Sequence, residues 1–258
     1  MIEPMRIDQI RTEMGEYILS VRGLKKRFGS LRALDGIDID VKRGSLTALI
    51  GPNGAGKSTA FGCIAGAMKP SGGSVRYSGY EIAGWPYYRV ALRGLARTYQ
   101  VVQTFADMTV LEATTVGAFL RHPTLKAAEA HARETLAFVG LDAKRDMLGR
   151  ALTIADKKRL EVARALATQP QLLLLDEVMA GLTPAEAHDA VDLLRAILAR
   201  GITIVMVEHV MEVLMPLAQH VVVIAAGKTI FSGTPAQTVA SPAVIEAYLG
   251  APLELPVR

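Results

Sequence analysis

The sequence is poor in cysteine, in long apolar runs and in net charge, and each shortage excludes a class of protein. One cysteine among 258 residues excludes an internal disulfide framework and any multi-cysteine metal site. No apolar run approaches the ~18–20 residues that a membrane-spanning helix needs, and residues 1–16 lack the apolar core of a secretion signal. The net charge of +4 permits a phosphate-bearing ligand or an anionic surface without requiring either.

What the sequence does contain is apolar material for a large core. Half of the residues are apolar, 21% are charged and the mean hydropathy is +0.27. This composition excludes disorder over most of the chain, and the length suits one large α/β domain or two small ones. We therefore expect a soluble α/β protein of a reducing compartment.

Short apolar runs alternate with longer helical patterns along the chain, which favours a sheet with helices packed on its faces. The predicted strands cover residues 17–21, 37–41, 46–50, 74–77, 172–175, 202–207, 221–224 and 228–231. The predicted helices cover 57–68, 125–139 and a segment from the capping box at 183–186 to Arg200. Residues 101–149 show helical periodicity and few strand signals, so we expect an α/β core interrupted by a helical insert.

A glycine-rich loop follows the apolar run at 46–50. Residues 51–58 fit the pattern G-x-x-x-x-G-K-[ST], between a predicted buried strand and a predicted helix. Its backbone N–H groups and the helix N-terminus would cradle phosphates, Lys57 would bridge the β- and γ-phosphates, and Ser58 would bind Mg²⁺. The alternative is a glycine-rich turn before a structural helix.

Two carboxylates follow a second buried strand, at 172–175. Asp176 would bind Mg²⁺, and Glu177 would polarise the attacking water. An apolar run that ends in Asp-Glu is also a common strand terminus, so this interpretation depends on the phosphate loop.

The order of these motifs resembles the ATP-binding subunit of ABC transporters over almost the whole chain. The resemblance implies a P-loop NTPase core of mainly parallel sheet with an N-terminal antiparallel β part and a helical subdomain. It implies ATP and Mg²⁺ as ligands, with nucleotide contacts from Phe28, Gly51, Asn53, Gly54, Ala55, Gly56, Lys57, Ser58 and Thr59. It places Gln100 (in Arg97-Thr98-Tyr99-Gln100) at Mg²⁺ and the attacking water, and His209 at the γ-phosphate; residues 180–184 resemble the D-loop.

The C-terminal sequence is similar to that of ATP-binding subunits of branched-chain amino acid importers. The similar stretches are 233–235, 241–242 and 244–250, with 97–100, 105, 108–110 and 158–164 earlier in the chain. The resemblance implies one ABC ATPase domain over 17–250, with a core lobe at 17–100 and 151–232. It further implies a helical subdomain at 101–150, a C-terminal helix at 235–249 and an N-terminal extension at 1–16.

The signature loop departs from the family pattern. Where the family has Leu-Ser-Gly-Gly-Gln, this chain has Leu152 followed by Thr153, Ile154, Ala155 and Asp156. Thr153 keeps a hydroxyl for the ATP of the opposite subunit, and Ala155 is tolerable if its φ is negative. We therefore expect a heterodimer with unequal ATP sites; two equally active sites, or a homodimer, are the alternatives.

The resemblance implies a subunit at the cytoplasmic face of the inner membrane that powers separate permease subunits, indirectly served by a solute-binding protein. Residues 99–108 are the expected permease contact, and no nucleic-acid partner is expected. The alternative is a non-transport ABC ATPase acting on nucleic acid or ribosomes, which would suit the basic pI. A small-molecule kinase is disfavoured, because it leaves Gln100 and His209 unexplained.

Single residues outside the motifs have structural interpretations. Phe28, Gln100 and His209 owe their predicted roles to the motif set, since alone they would be a core ring, a surface amide and a structural histidine. Four other histidines have no motif context: His122, His131, His188 and His220. Cys63 is expected to be a small buried apolar residue.

Overall fold

A computed structural model describes residues 16–98, 106–208 and 210–249. These residues form two compact units: the first runs to Trp85 and resumes at Leu214, and the second is Pro86–Val213. No helix of the described residues is both long and apolar enough to cross a membrane. The predicted domain boundaries stay a prediction.

The first unit begins with an antiparallel sheet. Its strands are β1 (Tyr17–Phe28), β2 (Leu31–Lys42), β4 (Gly72–Tyr77) and β5 (Tyr80–Glu81), in the order β2-β1-β4-β5. Residues such as Leu19, Val21 and Leu24 are buried in β1, while the hairpin tip at Phe28 is exposed. The strands predicted at 17–21 and 37–41 are therefore confirmed and are longer than predicted.

A second set of strands in the first unit is mainly apolar. Strand β3 (Leu46–Ile50) pairs in parallel with β9 (His220–Ala225), which pairs antiparallel with β10 (Lys228–Gly233). All five residues of β3 are buried, as its uninterrupted apolar run predicts. The helices of this unit are α1 (Lys57–Ile64), α8 (Pro235–Val239) and α9 (Pro242–Leu249).

The second unit contains a parallel sheet and most of the helices. Strands β6 (Leu95–Arg97), β7 (Leu172–Asp176) and β8 (Thr203–Val207) pair in the order β6-β7-β8. The helices are α2 (Tyr87–Leu92), α3 (Val110–Ala118), α4 (Leu125–Val139), α5 (Ile154–Ala167) and α6 (Pro184–Ala199). Short 3₁₀ turns lie at Asp142–Lys144 and Gly149–Ala151, and α7 (Met211–Leu214) lies where the two units divide.

Most predicted elements are confirmed, and the differences have local causes. Helix α1 ends at Ile64 rather than 68, because Gly66 takes a left-handed φ of 79° that ends the helix. Residues 235–249 form two helices, because Pro242, which has no backbone N–H, starts a new one. Elements α2, α7, β5 and β6 were not predicted, because they are too short to show a periodicity. Helix α5, of 14 residues, was also not predicted.

Candidate functional site

The glycine-rich loop lies between β3 and α1 in the first unit. Gly54 and Gly56 have φ values of 78° and 106°, in the region that favours glycine. Gly56 is also the N-cap of α1 and gives it no side-chain cap. No side chain at this position therefore caps the N–H groups in the first turn of α1. An anion site at a helix N-terminus requires such uncapped N–H groups.

Close approach of the backbone, as well as φ, requires glycine in this loop. A Cβ on Gly56 would lie 2.8 Å from the carbonyl oxygen of Ala33, and one on Gly51 would collide with the carbonyl oxygen of Ile224. The carbonyl of Ala55 accepts a hydrogen bond from the N–H of Gly227, 3.1 Å away in the turn between β9 and β10. The loop is thus held by chain segments distant in sequence.

Lys57 lies inside the loop. Its side chain is buried, and Nζ donates hydrogen bonds to the carbonyl oxygens of Gly51 (2.7 Å) and Pro52 (3.1 Å). Asn53 and Ser58 are exposed, and Thr59 is half-buried. The loop therefore combines exposed polar groups with a buried cation, which is the chemistry that a polyphosphate needs.

Phe28 lies at the tip of the hairpin between β1 and β2. Its ring is 47% exposed, so it is not a core residue. The ammonium of Lys26 lies 4.9 Å from the ring centre and also bonds to the carbonyl of Lys69. An exposed ring held in this way is available for stacking on a base.

In the second unit, Asp176 forms a buried ion pair at the end of β7. Its Oδ2 lies 2.9 Å from Nη2 of Arg97 on the neighbouring strand β6, and the two side chains are 1% and 7% exposed. The N–H of Asp176 donates to the hydroxyl of Thr98 at 3.1 Å. Arg97 lies in a sequence motif, but nothing in the sequence places it opposite Asp176.

Glu177, the next residue, has an unusual backbone. Its φ is +51°, a left-handed conformation that costs a non-glycine residue about 1–2 kcal/mol. Its N–H donates to the carbonyl of Val207 (2.9 Å), and its carbonyl accepts from Nζ of Lys158 (2.7 Å). Such strain persists where the surroundings hold it, and it often marks a functional residue.

The residue before His209 in the sequence is a buried carboxylate for which the sequence predicts no role. Glu208 is 2% exposed, and its Oε1 accepts a hydrogen bond from the N–H of Met179 at 2.7 Å. The end of β8 is thereby joined to the segment after Glu177. A glutamate directly after a buried strand was the sequence signal for this residue.

The segment that resembles the signature loop starts α5. Thr153 is the N-cap, with its hydroxyl 3.2 Å from the N–H of Asp156 and 2.9 Å from Oδ2 of Asp156. Asp156 also lies 2.6 Å from Nζ of Lys144, and the bonds from Lys144 and Thr153 outweigh burial and hold its pKa low. Ile154 is exposed. The φ of Ala155 is not positive, so its methyl group causes no backbone strain at this position.

The remaining predicted residues divide into two groups. The segment that resembles the D-loop leads into α6, where Thr183 and Glu186 form the predicted capping box, with Pro184 as the first helical residue. Gln100 and His209 lie outside the described residues. The structure thus groups Gly51 to Thr59 and Phe28 in the first unit, and Thr153 to Asp156, Asp176 and Glu177 in the second.

Comparisons with known proteins agree with the sequence motifs. The family model described as ABC transporter matches residues 34–180, and the model described as branched-chain amino acid ATP-binding cassette transporter matches residues 228–253. The high-affinity branched-chain amino acid transport ATP-binding protein BraF of Pseudomonas aeruginosa is 37% identical, over 92% of this chain and 99% of BraF. The corresponding protein LivG of Escherichia coli K12 is 36% identical, over 92% of this chain and 99% of LivG.

A solved structure supports the same family. The crystal structure of the ADP conformation of an ATP-binding cassette of an ABC transporter has a TM-score of 0.82 and 30% identity, over 91% of this chain and 99% of that chain. The predicted α/β P-loop NTPase fold is thereby confirmed.

Proposed function

The chain belongs to the ABC transporter family of ATP-binding cassettes, and we propose that it is the ATP-binding and ATP-hydrolysing subunit of an importer. The proposed cargo is branched-chain amino acids or related small solutes, which would cross through separate membrane subunits. The observation that carries the proposal is the uncapped, glycine-lined start of α1 with Lys57 buried inside the loop. The relatives' names and the match over 228–253 support the class of cargo.

The proposed roles follow the chemistry of each residue. The N–H groups from Gly51 to Thr59 and the Lys57 ammonium bind the phosphates, and Phe28 stacks on the base. Glu177 accepts a proton from the attacking water, a role that typically contributes about 10²–10⁴ in rate. Gln100 and His209 orient the water and the γ-phosphate.

Mg²⁺ fits the donors that the chain provides. Ser58 and Asp176 carry the hydroxyl and carboxylate oxygens that Mg²⁺ prefers, and Gln100 adds an amide oxygen. No group of three or more His, Cys, Asp or Glu that could cage a metal occurs among the described residues. This suits a metal held by one carboxylate and by the nucleotide's phosphates. When bound, Mg²⁺ would neutralise negative charge on the β- and γ-phosphates as the γ-phosphoryl group passes to water.

A second ATPase subunit completes each site in this proposal. Thr153 to Asp156 would contact the ATP bound to the partner, and the partner's signature loop would contact the ATP bound at Lys57. The Thr153 hydroxyl is engaged by Asp156, which in turn pairs with Lys144. This engagement supports a heterodimer in which the site that uses Thr153 is the weaker of the two.

The remaining partners are permease subunits and, indirectly, a solute-binding protein. We propose that residues 99–108 contact the permease; residues 99–105 of this segment lie outside the described residues. The subunit would then work at the cytoplasmic face of the inner membrane. The comparisons support transport rather than the alternative, a non-transport ATPase acting on nucleic acid or ribosomes.

Reconstitution tests the proposal. The chain is co-purified with the second ATPase subunit and the membrane subunits of its transporter, and the complex is placed in liposomes with the solute-binding protein, radiolabelled leucine and ATP. Uptake should require ATP and fall to background with Glu177→Gln, while Glu246→Gln on exposed α9 should behave as wild type. ATPase activity that nucleic acid stimulates, without uptake, would favour the alternative.

A further inference from the structure

The buried pair of Arg97 and Asp176 puts a cation on the carboxylate that is proposed to bind a second cation. Nη2 of Arg97 lies 2.9 Å from Oδ2 of Asp176, and both side chains are more than nine-tenths buried. Bringing Mg²⁺ to Asp176 would place like charges together where water cannot screen them. The free energy of that repulsion is large in a buried site.

Arg97 also has room to move. It lines a cavity of about 210 Å³ in the second unit, between β6, α3 and α5. Val116 and Gly117 of α3 and Ala165 of α5 form apolar parts of the wall. A guanidinium can therefore turn into this space without displacing packed side chains.

A second carboxylate lines the same cavity. Glu161 of α5 is buried, and Arg164 lies one helical turn further along α5 on the cavity wall. Burial lowers the pKa of Arg164, and the negative charge of Glu161 opposes that effect. Glu161 thus provides a negative charge in the cavity towards which a displaced guanidinium can turn.

We propose that Arg97 is the counter-ion of Asp176 when no metal is bound and turns into the cavity towards Glu161 when Asp176 binds Mg²⁺. Arg97 is a positioning residue in this scheme, because it acts through Asp176. The proposal rests on the proposed function, since it needs a site that binds Mg²⁺ with a nucleotide. It couples metal binding at Asp176 to the position of Arg97 in the cavity lined by α3 and α5.

Binding of a fluorescent ADP analogue tests the link without hydrolysis. Its Kd is measured for the full chain with Mg²⁺ and with EDTA, and the ratio gives the gain in affinity due to the metal. Glu161→Gln should reduce that gain by about tenfold, because a charge-assisted contact for Arg97 is lost, and should leave the Kd in EDTA unchanged. Glu246→Gln should match wild type.

The position of Arg97 is followed by NMR of the labelled arginine Nε–H groups, with Arg97→Lys used to assign the signal. The Arg97 signal should shift with ADP and Mg²⁺ but not with ADP and EDTA. An unmoved signal, or equal metal-dependent gains for Glu161→Gln and Glu246→Gln, would overturn the proposal. If wild type binds no nucleotide in EDTA or with Mg²⁺, the proposed function fails with it.

Discussion

Lys158 donates a hydrogen bond from its Nζ to the main-chain carbonyl oxygen of Glu177, across 2.7 Å. The N–H of Glu177 in turn donates a hydrogen bond to the main-chain carbonyl oxygen of Val207. These two hydrogen bonds hold Glu177 at a φ of +51°, a conformation that glycine adopts without steric strain. The chain therefore keeps a strained residue in a place where its carboxylate is proposed to act.

Replacing Glu177 with glycine should separate stability from activity. The change relieves the left-handed strain, so the free energy of unfolding should stay equal to that of wild type or rise by about 1 kcal/mol. ATP hydrolysis at this chain's own site should fall by about 10²–10⁴, as with Glu177→Gln. Urea unfolding and phosphate release measure the two effects.

The control for this prediction is Ala190→Gly inside α6. It should lower the free energy of unfolding by about 1 kcal/mol, the usual cost of glycine in a helix. If Glu177→Gly costs as much as Ala190→Gly, the backbone strain is not stored at Glu177.

Removing the buried ammonium of the phosphate loop should weaken nucleotide binding. Lys57→Ala loses a charge-assisted contact to the phosphates, so the Kd of a fluorescent ADP analogue should rise by about tenfold to a hundredfold. Lys126→Ala, at an exposed position of α4, should leave the Kd unchanged. If the two variants bind the ADP analogue with equal affinity, Lys57 does not contribute to nucleotide binding.

Restoring the family's signature loop should strengthen the partner's ATP site. With Glu177→Gln blocking this chain's own site, the remaining hydrolysis comes from the site that uses Thr153 to Asp156. Changing these four residues to Ser-Gly-Gly-Gln should raise that remaining rate, because it frees a hydroxyl and removes the bulk of Ile154. An unchanged rate per site would reject unequal sites.

That variant needs a stability control, since it also removes the Asp156 carboxylate, which contacts Lys144 and the Thr153 hydroxyl. Asp156→Gln alone breaks the contact with Lys144 and should cost about 1 kcal/mol of unfolding free energy. If Asp156→Gln alone changes hydrolysis as much as the full replacement, the effect belongs to the Lys144 contact and not to the glycines.

Two histidines should make the protein less stable in mild acid. Burial lowers the pKa of His131, with help from the charge of neighbouring His122, and burial also lowers the pKa of His220. The unfolded chain therefore takes up protons first as the pH falls. The stabilisation is fully present above the unfolded pKa of about 6.5 and is lost below it.

Thermal unfolding at pH 7.5 and 5.5 measures this loss. The drop in Tm should be smaller in His131→Gln and His220→Gln than in wild type. His188→Gln is the control, because its ring is mostly exposed on α6. A drop that is the same in all three variants would place the acid sensitivity elsewhere.

Much of the fold was predictable because its signals are local. The apolar run of β3, the helix α4 that Gly140 ends with a φ of 77°, and the capping box of Thr183 and Glu186 all lie where the sequence predicts them. Each depends on neighbours within one turn or strand. The three-residue strand β6 was missed, since its place depends on pairing with β7.

By itself, the sequence determined the family, the phosphate loop and the candidate residues, because spacing along the chain carries that information. Only the tertiary structure decided which side chains surround them. Arg97 pairs with Asp176, and Lys158 donates a hydrogen bond to the carbonyl of Glu177. Lys144 pairs with Asp156, which also contacts the Thr153 hydroxyl. These pairs join residues 12 to 79 positions apart. The pairing of strands and the packing of helices bring them together, and no local pattern encodes which elements become neighbours.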